Sequence, residues 1–121
     1  MSKSFTEITR DVSQALGSLH KEASGTMQGF GAMAKSALAP GVLSALDKEL
    51  IALAIGVSSR CDACVGFHVK ALIRLGVSRE QLMEMLAVCV YMGGGPSLMY
   101  AAEAVRAYDE FTAAAAPAAA A

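Results

Sequence analysis

From Phe5 to Tyr108 the apolar residues of this chain return at steps of three and four, and no segment alternates convincingly with a period of two. A strand shows its apolar side chains every second residue and a helix every third or fourth, so the pattern restricts the chain to an all-α fold. Phe5, Ile8, Val12, Leu16 and Leu19 trace one face of a first helix. After Ser24-Gly25, the series Met27, Phe30, Ala34 and Leu38 repeats the pattern more weakly, because Gly29 and Gly31 lower helix propensity. Pro40-Gly41 interrupts the chain there.

The third helix has a better start signal. Ser44 with Asp47 three residues on resembles a capping box, Asp standing where Glu or Gln is usual. Leu46, Leu50, Leu53 and Val57 form its inward stripe. Gly56 and Ser58-Ser59 predict a stop and an immediate restart, with Ser59 capping a fourth helix that runs to a C′ glycine, Gly76. Ser78 and Gln81 open a fifth helix with Leu82, Met85, Leu86 and Cys89 on one face. The triplet Gly93-Gly94-Gly95 ends it, and Pro96 suits the first turn of a sixth. There Leu98, Ala102, Val105 and Tyr108 are expected to face inward. The expectation is a compact bundle of about six helices. It forms one domain over residues 1–112, followed by an alanine-rich tail, residues 113–121, to which no function attaches.

Composition narrows the function. The chain has 121 residues, 55% of them hydrophobic and only 17% charged, against roughly 25% charged in an average soluble domain. So small an interior cannot hold all that apolar surface, and a homo-oligomer is expected. A net charge of −1 with no block of Lys or Arg argues against nucleic acid and anionic membranes as partners. Met85 to Ala102 is uncharged for eighteen residues, near the lower limit for a spanning helix. The glycine triplet and Pro96 break it into halves too short to cross. The first residues carry Lys3, Glu7, Arg10 and Asp11 without an apolar core, so they do not read as a signal peptide. A cytoplasmic location is therefore expected, where cysteines are more often catalytic or metal-binding than structural.

The chemistry concentrates in one helix. Cys61, Cys64 and His68 stand at i, i+3 and i+7, which places all three on one helix face. Cys61 is expected in the first turn, where free backbone N–H groups and the helix dipole stabilise a thiolate. The two-residue gap also permits a disulfide with little backbone movement. His68 lies one turn beyond Cys64, within reach as acid, base or hydrogen-bond partner. That proximity favours Cys64 as the reactive sulfur, whereas the dipole favours Cys61. A zinc site would need a fourth ligand, and Cys89, on an apolar stripe, reads as core. His20, among Lys21 and Glu22, reads as a solvated surface residue. Glu49 on its own reads as a surface charge, and hairpin geometry does not force it beside the cysteines.

The stretch Glu49-x11-Cys61-x2-Cys64-x3-His68, followed by a glycine-rich break and a further helix, resembles the AhpD-like / carboxymuconolactone decarboxylase superfamily over roughly residues 43–111. The resemblance implies an all-helical fold, assembly as a homotrimer or homohexamer, and alkylhydroperoxidase activity with no bound cofactor. An external dithiol (lipoyl, thioredoxin-like or small-molecule) would re-reduce the enzyme. By position, Cys64 would be the peroxidatic cysteine and Cys61 the resolving and exchange cysteine. Glu49 and His68 would form a proton relay. One departure matters: AhpD has a second histidine just before the later cysteine, where this chain has Ala63, so the relay is thinner.

The implied cycle is ordinary thiol chemistry: thiolate attack on the peroxide, a sulfenic acid, condensation to a disulfide and exchange with the external dithiol. Two other functions fit the same fold. A lactone decarboxylase needs no cysteine pair, so Cys61 and Cys64 argue against it. A redox-sensing or partner-binding oligomer would use the disulfide as a switch and turn over little peroxide.

Overall fold

The computed structural model describes residues 3–115. Among them the chain forms six α-helices and no strand: α1 (Phe5–Glu22), α2 (Ser24–Leu38), α3 (Ala45–Ser58), α4 (Asp62–Arg74), α5 (Arg79–Gly93) and α6 (Gly95–Ala115). The expected tail begins as the last turn of α6, and its residues 116–121 lie outside the described region.

The helix boundaries follow from capping chemistry. The Ser44 hydroxyl accepts from the Asp47 N–H at 3.0 Å at the start of α3. Ser78 and Gln81 form a complete capping box on α5. At the end of α4, Gly76 adopts a left-handed φ of 81°, with its N–H on Ile73 O and the Val77 N–H on Leu72 O. This is the Schellman closure expected of a C′ glycine.

The α3–α4 junction differs from expectation. Ser59 is the C-cap of α3 and does not cap α4. A second Schellman closure follows it: the Arg60 N–H bonds Val57 O, and the Cys61 N–H bonds Gly56 O at 3.0 Å. Arg60 holds φ 55° at the position usually given to glycine. The residue that completes this turn, Cys61, is at once the N-cap of α4. The sequence points to Ser59 because serine stands among the preferred N-cap residues and cysteine does not.

The α4 helix lies at the centre, packed on α1, α3 and α6. Its Val65, Val69 and Leu72 meet Phe5 of α1, Leu53 and Val57 of α3, and Ala101, Ala104 and Ala107 of α6. The buried face of α6 therefore lies one position off the expected one: Leu98 and Ala102 are exposed, and Val105 and Tyr108 only half-buried. Alanine wins these positions because it lets two helix backbones approach closely. The N-terminus of α1 is tied to α6 by Glu110, whose carboxylate accepts from Phe5 N (3.0 Å), Thr6 N (2.8 Å) and the Ser4 hydroxyl (2.9 Å). Burial alone would raise the Glu110 pKa, but the hydrogen bonds from Thr6, Phe5 and Ser4 together outweigh it and lower it to about 2.

The outlier is α2, which buries no residue. It rests on α1 and the edge of α3, and Phe30 and Met33 are each 61% exposed.

Candidate functional site

The α3–α4 hairpin builds the site. Cys61 and Cys64 are joined in a disulfide, with Cα atoms 5.2 Å apart. The Cys64 N–H points at Cys61 Sγ at 3.2 Å, the bond an N-cap side chain makes to the third residue of its helix. Cys61 thus sits just ahead of the first turn rather than within it. One of the orphan N–H groups of α4, that of Cys64, is thereby aimed at its sulfur. Once the disulfide is reduced, this geometry favours negative charge on Cys61.

Cys64 lies against α3. A Cβ built on Gly56 would stand 3.1 Å from Cys64 Cβ, so a side chain there would make Cys64 give by a few tenths of an ångström. This is why the third helix carries a glycine at that point despite its low helix propensity.

One turn further along α4, His68 Nδ1 lies 2.7 Å from Glu49 Oε2 on α3. Glu49 is 9% exposed and buried against the hairpin, so its reading as a surface charge is overturned. The His68 side chain retains 29% of its exposure. An ionised Glu49 can only accept, so Nδ1 carries the hydrogen and the acceptor lone pair falls on Nε2. His68 and Cys64 are at i and i+4, side by side on one helix face. The structure therefore brings together all four candidate residues: Cys61 and Cys64 through the disulfide, His68 along α4, and Glu49 across from α3.

Behind Cys61 lies a charged cluster that the sequence reading did not anticipate. Lys3 Nζ bridges Asp62 Oδ2 (3.1 Å) and Glu103 Oε2 (3.5 Å). Arg106 grips Glu103 at 2.9 Å and the Lys3 carbonyl at 2.7 Å. Burial works to lower the Lys3 pKa, but its bond to Asp62 and the two nearby carboxylates raise it. The one available sequence signal was Asp62 in the first turn of α4, a favourable place for an acid. Its partners are remote in sequence.

The other candidates separate cleanly. Cys89 is a buried free thiol on α5. It lies 3.6 Å from the Met85 sulfur, and burial raises its pKa, as suits a core residue. His20 is exposed, its Nδ1 on Leu16 O. Among the described residues, no group of three or more His, Cys, Asp or Glu side chains is placed to hold a metal ion. No helix there is long and apolar enough to cross a membrane.

Fold and site together define an all-helical protein with a redox-capable cysteine pair on a helix hairpin. Its residues 25–107 match the carboxymuconolactone decarboxylase family, and the chain belongs to that family. An uncharacterized protein of Cupriavidus necator is 41% identical over 109 residues, covering 90% of this chain and 93% of its own length. A protein of the cox locus of Paracoccus denitrificans is 34% identical over 98 residues, 81% of this chain and 88% of its own. The crystal structure of a carboxymuconolactone decarboxylase family protein from Legionella pneumophila has a TM-score of 0.89 and 47% identity, covering 91% of this chain and 98% of that one. A second family member, from Thermotoga maritima, has a TM-score of 0.75 and 25% identity over 91% of each chain; a part in the antioxidative response has been suggested for it.

Proposed function

We propose that this protein is a thiol-dependent peroxidase of the AhpD-like type, reducing alkyl hydroperoxides through the Cys61–Cys64 pair. The observation that carries this reading is the buried Glu49 carboxylate bonded to His68, one turn from a cysteine already joined in a disulfide. A structural disulfide needs no buried proton handler beside it. The antioxidative role suggested for the Thermotoga maritima relative points the same way.

In the proposed cycle, His68 Nε2 takes the Cys64 thiol proton while Glu49 stabilises the imidazolium. The Cys64 thiolate attacks the peroxide oxygen. The O–O bond breaks, the leaving alkoxide takes the proton from His68 and departs as an alcohol, and Cys64 becomes a sulfenic acid. The Cys61 sulfur then displaces hydroxide, which leaves as water, and the disulfide seen here forms. An external dithiol, such as a lipoyl group, a thioredoxin-like protein or a small molecule, attacks Cys61 and restores both thiols as it becomes a disulfide. The proposed cycle uses no bound cofactor or metal, and its site is assigned to the cytoplasm.

We assign the working protein to a homotrimer or homohexamer. The bare α2 helix and the exposed Phe30 and Met33 support assembly. The deciding assay follows loss of an organic hydroperoxide with lipoyl, thioredoxin-like and small dithiols compared side by side. Sustained turnover with one of them is expected. A disulfide that cycles with oxidant and dithiol, changes the assembly and leaves the peroxide unconsumed would replace this reading with a redox switch.

A further inference from the structure

Two groups compete to place the negative charge once the disulfide is reduced. The N-terminus of α4 favours it on Cys61, whose sulfur receives the Cys64 N–H at 3.2 Å. His68 favours it on Cys64, one turn away. A third group stands between the two sulfurs. Of the two residues that separate them, Ala63 cannot ionise and Asp62 can. Asp62 is the first residue of α4, directly after the N-cap Cys61.

The Asp62 carboxylate is unevenly partnered. Its Oδ2 is held by Lys3 Nζ at 3.1 Å. Its Oδ1 is buried and has no hydrogen-bond partner among the described residues, a costly arrangement that calls for a functional reason. Lys3 is itself fixed in place. Arg106 grips its carbonyl at 2.7 Å, and its ammonium reaches Glu103 at 3.5 Å and lies 5.2 Å from the centre of the Tyr100 ring. To this stretch of α4, α1 presents the neutral Phe5 and Thr9. On the α3 side Glu49 is bonded to His68, and Arg60, in the turn, is exposed. Asp62 is the negative group nearest to Cys61 along the chain.

We propose that Asp62 is a positioning residue for the reaction above, its carboxylate opposing negative charge on Cys61 so that the thiolate falls to Cys64. Lys3 sets the strength of that opposition by neutralising one side of the carboxylate. The restraint suits both halves of the cycle. Cys64 then meets the peroxide, and Cys64 is the better leaving thiolate when an external dithiol attacks Cys61. The inference rests on the division of labour between the sulfurs given above and needs no particular peroxide or dithiol.

The test is alkylation of Cys61 by iodoacetamide, followed by mass from about pH 5 to about pH 9. A Cys64→Ser, Cys89→Ala background leaves Cys61 as the one thiol. Asp62→Asn should lower the midpoint of that profile by about 0.5–1 pH unit, the effect of one like charge at this spacing in a partly exposed site. Lys3→Met should raise it by a similar amount, and the two together should return it close to the parent. Opposite signs are the signature, because loss of a purely structural contact moves both variants the same way. Helical content is checked by circular dichroism, and should one variant unfold, the sign of the other decides. Two midpoints that move together, or either one that stays or moves the opposite way, overturn the proposal. A chain that consumes no peroxide overturns the peroxidase reading and leaves this titration as it was.

Discussion

Glu49→Gln is the substitution that isolates the proposed relay. It keeps the shape of the side chain and a carbonyl oxygen able to accept from His68 Nδ1, and it removes only the charge. A hydrogen bond to a charged group is worth ~1.5–3 kcal/mol and a neutral one ~0.5–1.5 kcal/mol. The exchange therefore forfeits about 1–1.5 kcal/mol of alignment at the 2.7 Å contact. It also forfeits the stabilisation of the imidazolium that forms when His68 takes the thiol proton. With about 1.36 kcal/mol to each factor of ten, the peroxide step should slow by ~10–100-fold. Deleting the proton handler outright by His68→Ala should cost more, ~10²–10⁴-fold. The site has no tryptophan to report on it. The reduced protein is therefore mixed with an organic hydroperoxide, quenched with a thiol-blocking reagent and weighed by mass spectrometry, from about pH 6 to about pH 9 to span imidazole and thiol titration. Because the new side chain is nearly isosteric, stability should fall by no more than that lost hydrogen-bond strength, about 1–1.5 kcal/mol. A Glu49→Gln protein that reacts at the parent rate throughout that range would refute the relay. The mechanism would then reduce to two thiols and a histidine.

If Cys64 attacks peroxide, Cys64→Ser abolishes its consumption even in a single turnover. Cys61→Ser consumes one equivalent and stops at a sulfenic acid that a dimedone adduct reveals by mass; the reverse pattern would exchange the two roles. Glu110→Gln should destabilise the fold by about 1–2 kcal/mol, the size of a lost helix N-cap, read from urea melts at neutral pH. The Glu110 pKa is depressed on folding, from an ordinary value of 4.5 to about 2. Its contribution is thus complete above the ordinary value and fades as pH falls towards the lower one, so parent and variant melts should converge in acid. Arg60→Gly should raise stability by about 1 kcal/mol, because a left-handed backbone strains any residue with a Cβ; a variant less stable than the parent would show that the Arg60 side chain makes a contact worth more than the strain.

Much of the bundle was legible because its signals are local. Ser44, Ser78 with Gln81, and Gly76 each act within one turn of a helix end, and all three stand where the spacing put them. The errors arose where a helix meets the rest of the molecule. On α6 the expected inward stripe is Leu98, Ala102, Val105 and Tyr108, yet Leu98 and Ala102 are exposed, while Ala101, Ala104 and Ala107 take the contact with the core. Periodicity shows that a helix has an apolar side. In a chain this rich in apolar residues it does not show which of two adjacent stripes faces inward, because the close approach of α4 selects for small size rather than hydrophobicity.

The pairing of Glu49 with His68 has a physical origin that the sequence could have yielded through its turn rather than its motif. The Gly56–Cys61 hydrogen bond closes the α3–α4 hairpin and fixes how the two antiparallel helices register. Glu49 lies two helical turns before Gly56, and His68 lies two turns after Cys61. Equal steps outward from the closing bond bring the two residues level with each other on facing sides of the hairpin. Reading Ser59 as the cap of α4 shifts that bond and conceals the register, and Glu49 is left as an isolated charge. Reading Arg60 as the left-handed residue of a Schellman closure, with Cys61 as both its last residue and the next cap, restores it. Arginine conceals the closure because glycine is the usual marker of that conformation. The same turn that sets Cys61 at the N-cap of α4 therefore also delivers the carboxylate to the histidine. Arg60→Pro, which removes the N–H donated to Val57 and forbids the positive φ, should damage both at once. The expected outcome is a chain that keeps most of its helical signal but loses fast disulfide exchange and the peroxide step together. Loss of only one of the two would separate the turn from the relay.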